Sequence, residues 1–139
     1  MRSRDPAGYS GTPLPNKLGI RAGSRVLLLG APRGYVATLG ALPDGVRFQR
    51  KPDTSVDLVQ LFVTRREDLA SRLRSLRGTL RPDATLWVSW PKRSSGVATT
   101  VTEDVVRELA LPLGYVDVKV CAVDETWSGL KLVVRRTER

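Results

Sequence analysis

The chain has 139 residues, 23 Lys and Arg against 14 Asp and Glu, a formal charge of +9 and no histidine. Its length suits one core, its 41% hydrophobic and 27% charged content suits a packed globular chain, and no apolar run approaches the roughly 20 residues of a membrane span. Without histidine and with Cys121 as the single cysteine, an internal disulfide, a zinc site and a Ser-His or Cys-His nucleophile are excluded, so no metal partner is expected.

Residues 1–12 are small, polar and basic, and read as a flexible tail ahead of one domain over 13–139. The opening MRSRDPAGYSG lacks the apolar centre of a signal peptide, so a cytoplasmic protein with no membrane partner is expected. Pro13 and Pro15 precede a short helix that Gly19 ends. Arg25 to Gly30 (RVLLLG) is a continuous apolar run closed by glycine, which predicts a strand buried on both faces. Gly34 to Leu42 has room for a short helix only. Val46 to Arg50 alternates, placing Val46 and Phe48 on one face, as in a half-exposed strand near a sheet edge.

Val56 to Val63 predicts the next strand and Thr64 to Leu80 the main helix. Thr64-Arg65-Arg66-Glu67 matches a capping box, and Leu69, Leu73, Leu76 and Leu80 stack along one stripe. Arg81-Pro82-Asp83 turns the chain into a strand over Thr85 to Trp90. Thr102 caps a second helix, with Glu103 and Asp104 favouring its positive end and Val105, Val106, Leu109 and Ala110 helically spaced. Pro112 and Gly114 end it. Tyr115 to Val123 alternates, with Val116, Val118, Val120 and Ala122 predicted on one face and Asp117, Lys119 and Cys121 on the other. After Asp124-Glu125-Thr126, Trp127 leads into a final strand over Leu130 to Arg135, forming an antiparallel hairpin.

Charge is concentrated in two places. From Met1 to Tyr35 six Lys and Arg face one Asp, and from Val59 to Ala84 six Arg face three acids. Such an excess attracts acidic partners.

Strands separated by helices imply parallel pairing through right-handed crossovers, and the hairpin adds an antiparallel strand at an edge. From Asp57 to Arg135 this order resembles a reduced class I S-adenosylmethionine-dependent methyltransferase fold: Asp-Leu-Val opening a strand, a Leu-rich helix, Leu80-Arg81-Pro82-Asp83, strand, helix and hairpin. The resemblance implies a three-layer, Rossmann-like α/β domain, with a mostly parallel sheet of about five to six strands and a C-terminal antiparallel hairpin. The phrases YSGTPLPNKLGI, VLLLGAP, WPKRSSGVATTVTE and VCAVDETWSGLKLVVRR resemble a family of small bacterial proteins carried only as a domain of unknown function, which supplies no mechanism.

In the methyltransferase pattern a glycine-rich loop follows the first strand, and a carboxylate at the end of the second holds ribose hydroxyls. Here the loop is Gly30-Ala31-Pro32-Arg33-Gly34-Tyr35. Pro32 has no amide hydrogen, and Arg50 and Lys51 stand where the acid would be. No cofactor is therefore required by the sequence, with S-adenosylmethionine the one candidate. Arg47, Arg50 and Lys51 could instead meet a phosphate, although without the glycine pattern.

After Trp90, a loop carrying Lys92, Arg93, Ser94 and Ser95 offers cationic and hydroxyl donors to an anion, or is simply a solvated loop. Trp90 itself is core or a stacking platform. Trp127, beside Asp124 and Glu125, is a contact residue or a lid on the sheet edge. Arg74, Arg77 and Arg81 share one helix flank and Arg65 and Arg72 another; these arginines could track phosphates or snorkel beside the apolar stripe. No catalytic residue is assigned, and Cys121 reads as an inert thiol. The expected function is a non-catalytic binding module engaging nucleic acid or a phosphorylated ligand through Gly30, Arg33, Gly34, the Trp90 loop, the Trp127 turn and the arginine helix. The alternatives are a methyltransferase with a degenerate cofactor loop and a structural protein partner pairing through the sheet edge.

Overall fold

The computed structural model describes residues 11–139, so all but the last two residues of the expected tail lie outside it. Its elements are α1 (Leu14–Leu18), β1 (Arg25–Leu29), α2 (Tyr35–Leu39), β2 (Arg47–Gln49), β3 (Leu58–Phe62), α3 (Arg66–Thr79), β4 (Thr85–Pro91), α4 (Glu103–Ala110), β5 (Tyr115–Ala122) and β6 (Trp127–Val134). The strands form one sheet in the order β2-β1-β3-β4-β6-β5. Strands β2, β1, β3 and β4 are mutually parallel, and β6 runs antiparallel to both β4 and β5.

Two apolar layers sandwich this sheet, as the resemblance implies. Alternate side chains of β3 and β4 face opposite ways, so Val59, Leu61, Leu86 and Val88 meet α3 and α4, while Leu58, Phe62 and Trp87 meet α1 and α2. The leucine stripe buries Leu69, Leu73 and Leu76 completely, each contributing about 1.5–3 kcal/mol on that face. On the other face Trp87 donates its indole N–H to the Leu18 carbonyl at 2.8 Å, which pins α1 over the sheet. The chain moves from β1 to β2 in one direction and from β3 to β4 in the other. Right-handed crossovers therefore put α2 and α3 on opposite faces.

Three local expectations are corrected. The Thr64 capping box does not form: α3 begins at Arg66, whose amide donates to Thr100 Oγ1 at 2.7 Å, while the Thr64 carbonyl accepts from Thr100 N and Thr99 Oγ1. A loop distant in sequence crosses the helix start and satisfies its amide, leaving Glu67 at the surface beside Arg65. Thr102 does cap α4, accepting from Val105 N at 3.2 Å.

The second correction concerns β5. Its register slips between Asp117 and Lys119, so Val116 lies opposite Val133 while Val120 lies opposite Leu130. Positions 130 and 133 of one strand face opposite ways, hence Val116 and Val120 do not share a face. Asp117 is drawn to Arg107 of α4 at 2.8 Å, and Val118 and Val120 are left 50% and 46% exposed. Third, the antiparallel strand is not at the edge. Strand β6 inserts between β4 and β5, and β5 takes the outer position.

Candidate ligand-binding site

In an open sheet, ligands settle beyond the carboxyl ends of the strands where the strand order reverses. The order β2-β1-β3 puts that switch point between the ends of β1 and β3, at Gly30 and Phe62. A cleft of about 590 Å³ opens there. Its walls are Gly30, the end of β3 from Leu61 to Thr64, Trp127, and the polar flank of α3 carrying Asp68, Ser71, Arg72 and Ser75.

Gly30 is glycine for two local reasons. Its φ is +71°, and a Cβ at this position would stand 2.6 Å from the Phe62 carbonyl oxygen. Only a bare α-carbon lets the loop after β1 lie this close to the end of β3. Phe62 in turn meets Tyr35 and Trp127 edge-on, with ring centroids 4.8 and 5.1 Å apart. The position of Trp127 is fixed by Asp124, whose Oδ1 accepts from Thr126 N at 2.8 Å and from Trp127 N at 2.7 Å. Asp124 thus builds the turn that presents the indole to the cleft.

Below these rings Tyr35 donates its hydroxyl to Gln60 Oε1. Burial raises the Tyr35 pKa far above its ordinary value, only partly offset by the bond to Gln60, so the phenol stays protonated. Gln60 Nε2 and Ser89 Oγ, both fully buried, have no hydrogen-bond partner among the described residues. Strand register puts both side chains on the α1/α2 face of adjacent strands.

Of the residues singled out in the sequence for ligand contact, Gly30, Arg72 and Trp127 line the cleft. Arg33 and Gly34 follow in the same connection and are exposed, Gly34 holding φ at +79° as α2 begins. Lys92 belongs to the same rim, its amide donating to the Thr126 carbonyl at 2.7 Å. Arg93, Ser94 and Ser95 make one 3-10 turn, in which the Ser95 hydroxyl donates to the Lys92 carbonyl at 2.7 Å. Glu125 is exposed in the hairpin turn, and Trp90, 6% exposed, packs in the core on the α3/α4 face. Cys121 is buried, and burial pushes its thiol pKa up, which suits an inert thiol.

The arginine flank stands apart from this rim. Helix α3 runs back against its strands, so its start adjoins the Thr99–Thr100 loop and its end the opposite pole. There Arg77 donates to the Leu113 carbonyl at 2.9 Å, and Arg81 is paired with Asp57 at 2.5 Å and Asp83 at 2.7 Å. Arg74 is exposed. The rim cations consequently do not form one patch with Arg77 and Arg81, whereas Arg72, nearer the start of α3, reaches the cleft.

Sequence reasoning overlooked Thr64, Asp68, Ser71 and Ser75, and it grouped Arg72 only with the arginines. A signal was present: Asp68, Ser71, Arg72 and Ser75 recur at helical spacing beside the leucine stripe. Asp68 and Arg72 form no ion pair with each other or with any other described residue, so both remain available to a ligand. No helix among the described residues is long and apolar enough to cross a membrane, and no cluster of His, Cys, Asp and Glu among them could hold a metal.

The chain matches no protein-family model and no curated protein sequence, so the likeness to small bacterial proteins rests on the quoted phrases alone. Solved structures do match. A SAM dependent methyltransferase from Aquifex aeolicus superposes with a TM-score of 0.64 at 18% identity, covering 86% of each chain. A type 11 methyltransferase candidate from Sulfolobus solfataricus gives 0.62 at 16% identity over 91% of this chain and 92% of the other. Aeropyrum pernix fibrillarin, solved with S-adenosyl-L-methionine bound, gives 0.55 at 17% identity over 82% of this chain and 68% of its own. At such identities the likeness shows a shared methyltransferase-like, Rossmann-type fold.

Proposed function

We propose that the chain binds an adenosyl ligand of the S-adenosylmethionine type in the cleft between β1 and β3, on a methyltransferase-like scaffold. The observation that carries this reading is the position of the cleft at the sheet's switch point. Its volume lies within the range of roughly 300–1,000 Å³ usual for small-molecule sites. Solved structures of the same fold, one with S-adenosyl-L-methionine bound, make that compound the first ligand to test.

The lining fits such a ligand through a changed set of anchors. Arg50 replaces the expected acid after β2, and Asp68 is the carboxylate that lines the cleft instead. Asp68 would accept ribose hydroxyls, Arg72 would meet the amino-acid carboxylate, and Thr64, Ser71 and Ser75 supply neutral donors. The exposed Gly30 leaves its backbone open to close approach, and Phe62 and Trp127 form an aromatic wall suited to a flat base or a sulfonium. When bound, S-adenosylmethionine supplies an electrophilic methyl group. The residues of this chain bind and orient it, and the rings at the rim shield one side from water.

Calorimetry with S-adenosylmethionine and S-adenosylhomocysteine tests the reading. Micromolar binding weakened at least tenfold by Asp68→Asn or Arg72→Ala supports it, and no heat up to millimolar ligand overturns it. One observation favours a second reading, in which the rim engages an anionic partner without catalysis. Arg33, Lys92 and Arg93 share that rim and form no ion pair among the described residues. Salt-dependent binding of RNA, or of a phosphorylated ligand, that Arg33→Ala and Arg93→Ala abolish would support it; binding unchanged by both would remove it.

A further inference from the structure

A second cleft, of about 430 Å³, lies at the opposite end of the sheet. Between α1 and β1 the chain arches from Gly19 to Ser24 over the start of β4 and the second half of β6, and the cleft lies beneath the arch. Gly23, at φ +77°, shapes the arch, and no atom stands within 4 Å of where its Cβ would be.

The polar groups facing this cleft are mostly donors. Arg21 and Lys131 line it and form no ion pair among the described residues. The Ser24 hydroxyl accepts the Arg21 amide at 2.9 Å, which leaves its own proton free to donate inward, and Thr85 adds a second hydroxyl.

Asp57 is the one carboxylate in the lining, and it is already committed. Its Oδ1 pairs with Arg81 at 2.5 Å and its Oδ2 accepts the Arg25 amide at 2.8 Å. Asp44 stands nearby, its carbonyl accepting from Gly23 N at 2.8 Å. Arg25 and Arg47, opposite each other on β1 and β2 and both exposed, balance Asp44 and Asp53 at this pole, so the excess in the lining comes from Arg21 and Lys131. Two unpaired cations and two hydroxyls around an already neutralised carboxylate make a receptor for a compact multivalent anion.

We infer that this cleft binds a phosphate group, carried either by a nucleoside diphosphate or by an RNA backbone. It is independent of the adenosyl site, since the two clefts lie beyond opposite ends of β1 and share no residue.

Amide resonances of the full chain, followed by NMR during titration with inorganic phosphate, test this directly. The expected result is saturable shifts confined to Arg21–Ser24, Thr85 and Lys131. The double variant Arg21→Ala, Lys131→Met weakens the response at least tenfold, and Arg93→Ala at the far rim leaves it unchanged. A nucleoside diphosphate and a short RNA are then titrated separately, and the source is whichever saturates these residues at lower concentration. Shifts that fail to saturate, that map to the Arg33 and Lys92 rim, or that persist undiminished in the double variant overturn the inference.

Discussion

Replacing Gly30 and Gly34 by alanine, one at a time, separates two costs that the loop after β1 combines. Both residues hold a left-handed backbone, at φ +71° and +79°. That conformation costs an L-residue about 1–2 kcal/mol, and the reduced freedom of the unfolded alanine chain offsets about 0.4–1 kcal/mol of it. At Gly34 a Cβ meets nothing within 4 Å, so Gly34→Ala should destabilise by no more than about 1.6 kcal/mol. At Gly30 the Cβ stands 2.6 Å from the Phe62 carbonyl oxygen, whereas a comfortable carbon-to-oxygen contact is about 3.3 Å, so the strands must part by roughly 0.7 Å. The obstacle is backbone and cannot rotate away, and such overpacking adds about 1–3 kcal/mol. Urea denaturation should therefore place Gly30→Ala about 1–3 kcal/mol below Gly34→Ala at unchanged m, or several degrees lower in Tm. Two variants unfolding within about 0.5 kcal/mol of each other would refute the close approach of the β1 loop to the end of β3.

The start of α3 gives a second contrast: Thr100→Ala removes its hydroxyl partner and should cost about 1 kcal/mol in chemical denaturation, whereas Thr64→Ala should cost only a few tenths. Tyr35→Phe leaves the Gln60 carbonyl buried without its donor and should destabilise by about 1–3 kcal/mol, with much of the loss recovered when Gln60→Leu is added; a neutral single variant would count against the bond. Asp57 supplies a pH test. Its burial opposes ionisation, but hydrogen bonds from the Arg25 amide and the Arg81 guanidinium outweigh this and hold its pKa below the ordinary carboxylate value. A depressed folded pKa stabilises the protein above the unfolded pKa of about 3.9, and the contribution is lost as pH falls through the folded value. The Tm advantage of wild type over Asp57→Asn should accordingly shrink as pH drops from 7 to below 4, and a gap constant with pH would contradict the assignment.

The fold was legible where periodicity and punctuation agreed. RVLLLG and the leucine stripe announced a buried strand and a helix packed on a sheet, and Thr102 announced its own helix. What stayed hidden depended on partners far away in sequence. Thr64 through Glu67 forms a good local cap signal, yet Thr100 reaches the helix start and takes over the task. The alternation of β5 reads as one apolar face until Arg107 draws Asp117 aside and a bulge reverses the pattern. For the site, the loop glycine and Trp127 were visible as unusual residues in unusual places. Asp68 and Arg72 were disguised as ordinary helix-surface charges, since only the switch point decides which flank of α3 faces a cleft. Spacing placed Arg77 and Arg81 on one flank but could not reveal that the end of α3 lies away from the rim, where carbonyls and carboxylates occupy both guanidinium groups.

The crevice between β1 and β3 is the proposed ligand site. A crystal structure of the protein grown with S-adenosylhomocysteine tests it most directly. Density for the nucleoside is expected between Gly30 and the Asp68–Arg72 flank of α3, within reach of Trp127. A fully occupied ligand bound elsewhere, or a cleft holding only solvent at millimolar ligand, would contradict it.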